Sequence, residues 1–375
     1  MFKLSQDIVK FSGNKTDCYA MFADYYNRYS AEVLKKNIGP YTDKAQDGRV
    51  ISLSEEADQM HEAMLAEIER IAGQKRPENM APEIWASNPN FKWATFAVVT
   101  AMVETILPAT LIDSIGLYTD MRFIGWGDVA HFEVPNRALM TVSTGANAQR
   151  TTMIQRQYKS DYIVPVYNHV ITASVDLYSV LAGRMNLAEF ARKAVISIET
   201  AMTREAYNAV VTGLQNVNSG ISALNYTGAF DMEGLITMAQ TVGAYNYNMK
   251  PIIAGTSVGL MKVLPDAAAG YRLNADADGP RINLIRTAFD YDFMVLPQVA
   301  TGDYTNYSLA LNDNQLFVIS PAADKLVRGV VEGSTLSNSN DYYDTANLTS
   351  NFTINKRYGF EYLSGATAGS YIISG

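Results

Sequence analysis

Two neighbouring stretches decide the fold: residues 161–172 read DYIVPVYNHVIT, and residues 186–193 read NLAEFARK and open a long helical pattern. The first stretch is strand-like, and so is Asp128–Val134. Between them the chain is polar and rich in Thr, Gln and Asn around Gly145. The pattern predicts an extended β-hairpin over residues 128–172 with a long tip.

The return strand of this hairpin carries apolar side chains on both faces. One face would hold Val164, Val166 and Val170, and the other Ile163, Tyr167 and Ile171. Pro165 suits a strand edge or a bulge. A two-stranded hairpin alone is marginally stable in water, so we expect cover from outside it, such as a neighbouring subunit.

The helical pattern that follows is the longest in the chain. It predicts a helix over Leu187–Thr212, capped by Asn186 with Glu189 three residues on, and ended by Gly213. At about 1.5 Å per residue it would run roughly 40 Å. A helix of this length can serve as the spine of a flat domain.

Residues 1–85 are predicted to form an arm of helices joined by loops, with little core of its own. One helix is expected over Tyr19–Lys36 and a second over Leu53–Ala72. Ser52 and Glu55 match a capping box for the second helix.

The second arm helix has an acidic face. Its carboxylates are Glu55, Glu56, Asp58, Glu62, Glu67 and Glu69. A solvated helix face is the default interpretation, and an acidic docking strip for another subunit is the alternative.

The rest of the chain reads as alternating helices and strands. Phe91–Leu107 is apolar nearly all round, which predicts a helix buried on several sides, with Pro108 ending it. From Gly220 short strands and helices alternate, which predicts a second, α+β unit. A Ser/Asn/Asp/Tyr-rich linker over 334–350 separates it from strand-like segments near the C-terminus.

Composition narrows the function class. The chain has 375 residues, 48% of them hydrophobic and 18% charged, which is ordinary for a globular protein and argues against disorder. Apolar runs are interrupted before the roughly 20 residues of a membrane helix, so none is expected. The N-terminus lacks a secretory pattern, which indicates a cytoplasmic product. The single Cys18 is read as a small buried hydrophobe.

Charge is unevenly distributed. The net charge of −8 argues against tight wrapping of nucleic acid, which relies on clustered Lys and Arg. The hairpin tip is locally positive, because no acidic residue lies between Glu133 and Asp161. The basic residues there are Arg137, Arg150, Arg156 and Lys159. We predict that they contact an acidic surface of an adjacent copy; a solvated loop is the alternative.

One sequence motif suggests an enzyme. Gly255-Thr256-Ser257-Val258-Gly259 matches the G-x-S-x-G nucleophile elbow between a predicted strand and a predicted helix. The elbow's His should follow the Ser, whereas all three His residues precede Ser257. A tight turn with Thr256 or Ser257 capping the helix is therefore favoured over a serine hydrolase.

No other pattern forms a reaction centre. Asn274, Asp276, Asp278 and Gly279 imitate a calcium loop, but Ile285 stands where the bidentate Glu belongs. The His residues are too dispersed for a zinc site, and no phosphate-binding Gly-rich loop is present. We expect no enzyme activity, no cofactor and no metal.

The order of arm, hairpin, spine helix, second domain and late strand resembles the major capsid proteins of tailed bacteriophages, with the Hong Kong 97 type fold. The resemblance covers about residues 90–375. It is carried by the hairpin, by NLAEFARK at 186–193, by KPIIAG at 250–255 and by KRYGFEY at 356–362.

The resemblance implies an α+β fold in four parts. These are an N-terminal arm (1–85), an extended hairpin loop (128–172), a peripheral domain with the spine helix (86–127, 173–220 and 335–375) and an axial domain (221–334).

The resemblance also implies a function. Hexamers and pentamers of the chain would build an icosahedral shell, assembled in the host cytoplasm with scaffold and portal proteins. The shell would enclose double-stranded DNA without sequence-specific binding, and an acidic lining would let the DNA move. An encapsulin-like compartment is the alternative within the same fold.

Overall fold

The structure is a computed structural model, and it describes most of the chain beyond residue 17. The described residues are 18–36, 38–42, 50–75, 88–136, 140, 142, 144, 158–176, 180, 184–263, 287–288, 291–302, 305–339 and 349–374.

Helices and strands are mixed along the chain, as the α+β prediction requires. The helices are α1 (Cys18–Glu32), α2 (Leu53–Ala72), α3 (Pro89–Ile115), α4 (Leu187–Val217), α5 (Met232–Tyr245) and α6 (Ser257–Lys262). The strands are β1 (Thr119–Ile124), β2 (His131–Pro135), β3 (Lys159–Ile163), β4 (Tyr167–Asp176), β5 (Asn225–Gly228), β6 (Ile252–Gly255), β7 (Thr287–Ala288), β8 (Tyr291–Val295), β9 (Gln315–Ile319), β10 (Val327–Ser339), β11 (Thr349–Tyr362) and β12 (Gly369–Ile373).

The arm helices α1 and α2 pack into the largest core rather than standing apart. Their fully buried side chains, which include Phe22, Met60 and Ile68, belong to the same apolar cluster as α3 and α4. Arg28 of α1 ties the two helices together, because its guanidinium bonds Glu56 at 2.7 Å and the Ile51 carbonyl at 2.7 Å. Cys18 is buried, as expected of a small hydrophobe.

Helix α3 does not end at Pro108, so that prediction was wrong. Proline removes one helical N–H and crowds the carbonyl four residues earlier. Here the helix continues to Ile115, and Leu107, Leu111 and Ile115 are all at most 1% exposed. Tertiary burial on both sides of the proline therefore outweighs the lost hydrogen bond.

Helix α3 is also the most apolar helix that the structure describes. Its residues Pro89–Pro108 are long and apolar enough to cross a membrane by length and composition alone, and 56% of that window is buried inside the protein. Buried core helices of globular proteins pass the same test. Packing against α2, α4 and β10 accounts for its apolar surface.

Helix α4 ends at Val217 rather than at Thr212, so Gly213 is not its stop. The physical reason for this glycine is close approach: a Cβ at Gly213 would lie 2.1 Å from the Cβ of Tyr362. Asn186 caps the start as predicted, accepting from the Ala188 and Glu189 amides at 2.9 and 3.4 Å.

A four-stranded sheet in the order β1-β10-β11-β4 packs against α3 and α4. Strands β1 and β10 are parallel, and the other two pairs are antiparallel. Strand β10 runs to Ser339, so the first residues of the predicted 334–350 linker are strand. Its pairing with β11 shifts register between Glu332 and Leu336, where Gly333 has a φ of 60°.

The second sheet has the order β5-β12-β9-β6-β8-β7 and forms its own core with α5 and α6. The alternation of short strands and helices after Gly220 agrees with the sequence prediction. The last strand, β12, pairs with β5 and β9 and so lies in this sheet, although the sequence placed it with the peripheral domain. The wider domain boundaries stay a prediction.

Candidate assembly interface

The predicted hairpin forms a two-stranded ribbon, in which β2 pairs antiparallel with β3 from His131–Ile163 to Pro135–Lys159. All five residues of β3 are exposed. Neither strand of the ribbon pairs with another strand among the described residues. Strand β3 is therefore open to the surroundings, whereas β2 carries one buried side chain, Phe132.

The return strand is supported from within the subunit, which the sequence did not predict. After Val164-Pro165-Val166 the chain continues as β4, and ten residue pairs join β4 to β11. Only the ribbon, and not the whole return strand, remains in need of outside cover.

The root of the ribbon packs on the outer face of the four-stranded sheet. Phe132 is 1% exposed and clusters with Ala130, Val164 and Val330. The guanidinium of Arg122 lies 4.2 Å from the centroid of the Phe132 ring. Cation–π contact and apolar burial together fix the direction in which the ribbon leaves the subunit.

Two polar side-chain contacts cross one face of the ribbon. His131 Nδ1 lies 2.8 Å from Asp161, and Lys159 donates to Glu133 at 2.7 Å. Donating this hydrogen bond to the Glu133 carboxylate raises the pKa of Lys159, which stays charged at neutral pH. Lys159, predicted to lie in the hairpin tip, is thus the first residue of β3, and its charge is already matched within the subunit.

The other predicted contact residues, Arg137, Arg150 and Arg156, lie outside the described residues. The acidic face of α2 is described, and part of it is used within the subunit. Glu56 binds Arg28, and Asp58 accepts a hydrogen bond from the side-chain Nδ2 of Asn186 at 3.3 Å. Glu55 accepts from the Ser52 N–H at 3.1 Å and Glu67 pairs with Arg70 at 2.8 Å, so at least four of the six carboxylates have partners within the subunit.

Exposed apolar side chains follow the ribbon into β4. Tyr162 is 43% exposed, Ile163 54%, Tyr167 63% and Val170 51%. Tyrosine is among the residues that carry most binding energy at protein interfaces. The sequence analysis chose the arginines because of their charge, whereas these exposed side chains are the better-defined candidate contacts. Tyr162 was not predicted as a contact because its exposure depends on the pairing of β3 with β2.

The G-x-S-x-G segment is a strand-to-helix turn. Thr256 caps α6, accepting from the Gly259 amide at 3.1 Å and donating to Asp313 at 2.6 Å. Gly255 and Gly259 permit close approach, since a Cβ would lie 2.6 Å from Leu316 and 2.9 Å from the Asp313 carbonyl oxygen, respectively. Ser257 is exposed and is not the cap.

The three His residues lie in three other parts of the fold. His61 accepts from the Leu187 amide at 3.1 Å, His131 is on the ribbon and His169 is on β4. Within the described residues no group of three or more His, Cys, Asp or Glu could hold a metal ion. The calcium-like sequence at Asn274–Gly279 is outside the described part of the chain.

Two substitutions test whether this turn caps a helix or carries a catalytic serine. Thr256→Val removes the cap and the bond to Asp313, and is expected to cost about 1–2 kcal/mol of unfolding free energy. Ser257→Ala should leave thermal stability and particle yield unchanged. Thermal denaturation measures the stability of both variants, and electron microscopy measures the particle yield. A serine esterase activity that is present in wild type and lost in Ser257→Ala would contradict this interpretation.

The family model described as "SPbeta prophage-derived putative capsid protein YonB" matches residues 40–274, more than half of the chain. The chain belongs to this capsid protein family. The match confirms the resemblance to phage capsid proteins found in the sequence. No curated protein matches the chain.

Several solved phage capsid structures are similar to this capsid protein at low identity. The capsid of the native GTA particle is 10% identical, with 71% of this chain and 91% of that chain covered and a TM-score of 0.46. The bacteriophage PhiM1 mature capsid is 10% identical, with 68% and 86% covered and a TM-score of 0.45. Mycobacterium phage Bobi is 12% identical, with 71% and 90% covered and a TM-score of 0.43.

Proposed function

We propose that this protein is the major capsid protein of a tailed phage or prophage, and that hexamers and pentamers of it form an icosahedral head shell around double-stranded DNA. The family membership supports a structural role in a virion. The observation that carries the assembly step is the ribbon, whose β3 is exposed along its whole length. A marginal two-stranded ribbon of this kind is stabilised when a second copy covers it.

Expression of the full chain, alone and with a scaffold protein, tests the proposal. Electron microscopy should show closed particles, and particles from infected or induced cells should protect double-stranded DNA from nuclease. Particles that hold an enzyme cargo and no DNA would instead favour an encapsulin-like compartment. Monomers under every condition, including with scaffold, would overturn the shell function.

The basic tip of the hairpin is proposed to lie against the acidic face of α2 in a neighbouring copy. Support comes from the sign of the charges: Arg137, Arg150 and Arg156 lie in the sequence between β2 and β3, and α2 carries acidic side chains such as Glu62, which is exposed. Opposite charges across an interface speed encounter and select partners more than they add affinity.

Charge reversal tests this pairing. Arg150→Glu with Arg156→Glu should slow particle formation and lower its yield, and added salt should reduce the difference from wild type because it screens exposed charges. Lys193→Glu, on the exposed side of α4, is the control for a charge reversal elsewhere on the surface and should assemble normally. Wild-type assembly by the double variant would show that the tip is a solvated loop.

A further inference from the structure

A cavity of about 160 Å³ lies between the spine helix α4 and the strands β4 and β11. The apolar residues that line it are Val170 and Ile171 of β4, Ile198 and Ala201 of α4, and Ile354 of β11. Well-packed interiors have few voids larger than a water molecule, and a cavity of about 150 Å³ can hold one benzene-sized molecule. The space therefore fits a single aromatic ring.

His169 also lines this cavity, and one of its ring nitrogens lacks a partner. Its Nδ1 is 3.3 Å from Glu205 Oε1 of α4, whereas its buried Nε2 has no hydrogen-bond partner among the described residues. A neutral imidazole carries its proton on the nitrogen that faces an acceptor, here Nδ1, which leaves a lone pair on Nε2. A buried acceptor without a donor is unfavourable, so Nε2 favours a ligand that donates a hydrogen bond.

Arg204 of α4 supplies hydrogen-bond donors to the same cavity. One of its N–H groups donates to the Thr301 carbonyl oxygen, and a guanidinium has five N–H groups, so others remain for a ligand. Lys356 lines the cavity as well, but its ammonium already donates to both oxygens of Glu104 and to the Gly333 carbonyl oxygen. The cavity thus offers one acceptor and one group of donors above an apolar lining.

The shape of the cavity wall favours a planar ligand. The ring of Tyr358 stacks on the ring of His169, with centroids 3.7 Å apart and planes 12° from parallel. Aromatic rings pack well against such flat surfaces and edges. The side chains of His169 and Glu205 are partly exposed, and β4 is the edge strand of its sheet, so the route from solvent to the cavity is short.

We propose that this cavity is a binding site for a phenol, that is, an aromatic ring with one hydroxyl group. The hydroxyl donates to His169 Nε2, its oxygen accepts from Arg204, and the ring fills the space beside Ile198 and Ile354. An ionised carboxylate or phosphate has no proton to donate to Nε2, and an ammonium group cannot accept from a guanidinium. A water molecule makes the same two bonds but leaves most of the apolar space empty.

The phenol ring has two possible sources with the same chemistry. One is a free small molecule, and the other is the side chain of a tyrosine from a second copy of the chain. The ribbon carries such a side chain, Tyr162, which is 43% exposed. The second source rests on the proposed shell function, whereas the site itself belongs to one subunit.

Fluorine NMR of para-fluorophenol with the full, unassembled chain tests the site at about pH 8, where imidazole is neutral. Binding should be saturable. Fluorobenzene, which lacks the hydroxyl, should bind about tenfold more weakly because it leaves Nε2 unpaired. His169→Phe removes the acceptor, so this variant should lose the preference for para-fluorophenol over fluorobenzene.

A second variant keeps the test valid if His169→Phe does not fold. Ala201→Leu fills part of the cavity from α4 and should abolish binding of both probes. Asn208→Leu, at an exposed position of the same helix, is the matched control and should bind as wild type does. No saturable binding by wild type, equal affinity for the two probes, or unchanged binding by Ala201→Leu would overturn the phenol site.

Assembled particles distinguish the two sources. If Tyr162 of a second copy fills the cavity, wild-type particles should not bind para-fluorophenol, and Tyr162→Ala particles should bind it. Binding by wild-type particles as strong as that of the unassembled chain would assign the site to a free small molecule. Because the site is measured on unassembled chain, its failure is distinguishable from a failure to form shells.

Discussion

Gly359→Ala is expected to abolish particle assembly while leaving most of the subunit folded. A Cβ at this position would lie 2.0 Å from the carbonyl oxygen of Pro165 and 3.4 Å from the Cα of Val166. These are backbone atoms next to a rigid proline, so they cannot rotate away. The segment that joins β4 to the ribbon must move instead.

The displacement would open the cluster at the ribbon root, where Val164 is 4% and Val330 0% exposed. Overpacking of this kind typically costs about 1–3 kcal/mol. The two main cores do not include this cluster, so circular dichroism should stay close to wild type while the direction of the ribbon changes.

Sedimentation velocity and electron microscopy measure the effect on assembly. Asn355→Ala is the matched control, because it lies on the same strand and is partly exposed. Normal particle yield from Gly359→Ala, with an unchanged melting temperature, would mean that the ribbon tolerates another exit direction.

Lys356→Met is expected to cause the largest loss of subunit stability. The Lys356 side chain is 3% exposed, and its ammonium lies 2.9 and 3.0 Å from the two oxygens of Glu104 and 3.0 Å from the Gly333 carbonyl oxygen. Glu104 also accepts from the Thr335 amide at 3.0 Å and from its hydroxyl. Lys356 on β11 thus contacts both α3 and the part of β10, at Gly333, where the strand pairing shifts register.

Removing one member of a buried ion pair costs about 3–5 kcal/mol because the other charge is left unpaired. Because Glu104 is 37% exposed, water can solvate its unpaired charge and reduce this cost. We expect a loss of about 2–3 kcal/mol of unfolding free energy. Denaturant unfolding measures the change. Lys159→Met is the control, since its pair with Glu133 is exposed on both sides and its loss should not change the midpoint.

A double-mutant cycle separates the pair from its surroundings. Glu104→Leu with Lys356→Met removes both charges, so its destabilisation should be smaller than the sum of the two single changes. Strict additivity would show that the two side chains do not stabilise each other.

The sequence predicted correctly those helix ends that are fixed by capping residues within a few positions of the end. The bounds of α2, Leu53–Ala72, agree with the prediction because the Ser52–Glu55 capping box and the left-handed Gly73 act on the helix itself. The Asn186 cap was predicted correctly for the same reason. Such contacts depend on neighbours in sequence and so can be read from it.

Helix ends predicted from Gly and Pro were wrong where contacts with residues distant in sequence determine the role of that Gly or Pro. Gly213 makes room for Tyr362, and Pro108 is held inside α3 by burial. Strand β10 escaped detection because its glycines look like breaks. One of them, Gly329, makes room for Met121 and Phe360, since a Cβ there would lie 2.4 Å from the Met121 sulfur and 2.7 Å from the Phe360 ring.

The sequence alone determined the capsid resemblance, the hairpin and its basic tip, the spine helix and its start, and the absence of a complete triad around Ser257. Tertiary structure alone decided that β4 is anchored by β11, that β12 joins the second sheet and that His169 of β4 lies 3.3 Å from Glu205 of the spine helix. Capping and periodicity are short-range, whereas strand partners and buried charge depend on contacts between residues that are far apart in the chain. In the proposed shell, what covers the ribbon would depend on contacts between subunits, which neither the sequence nor one folded chain contains.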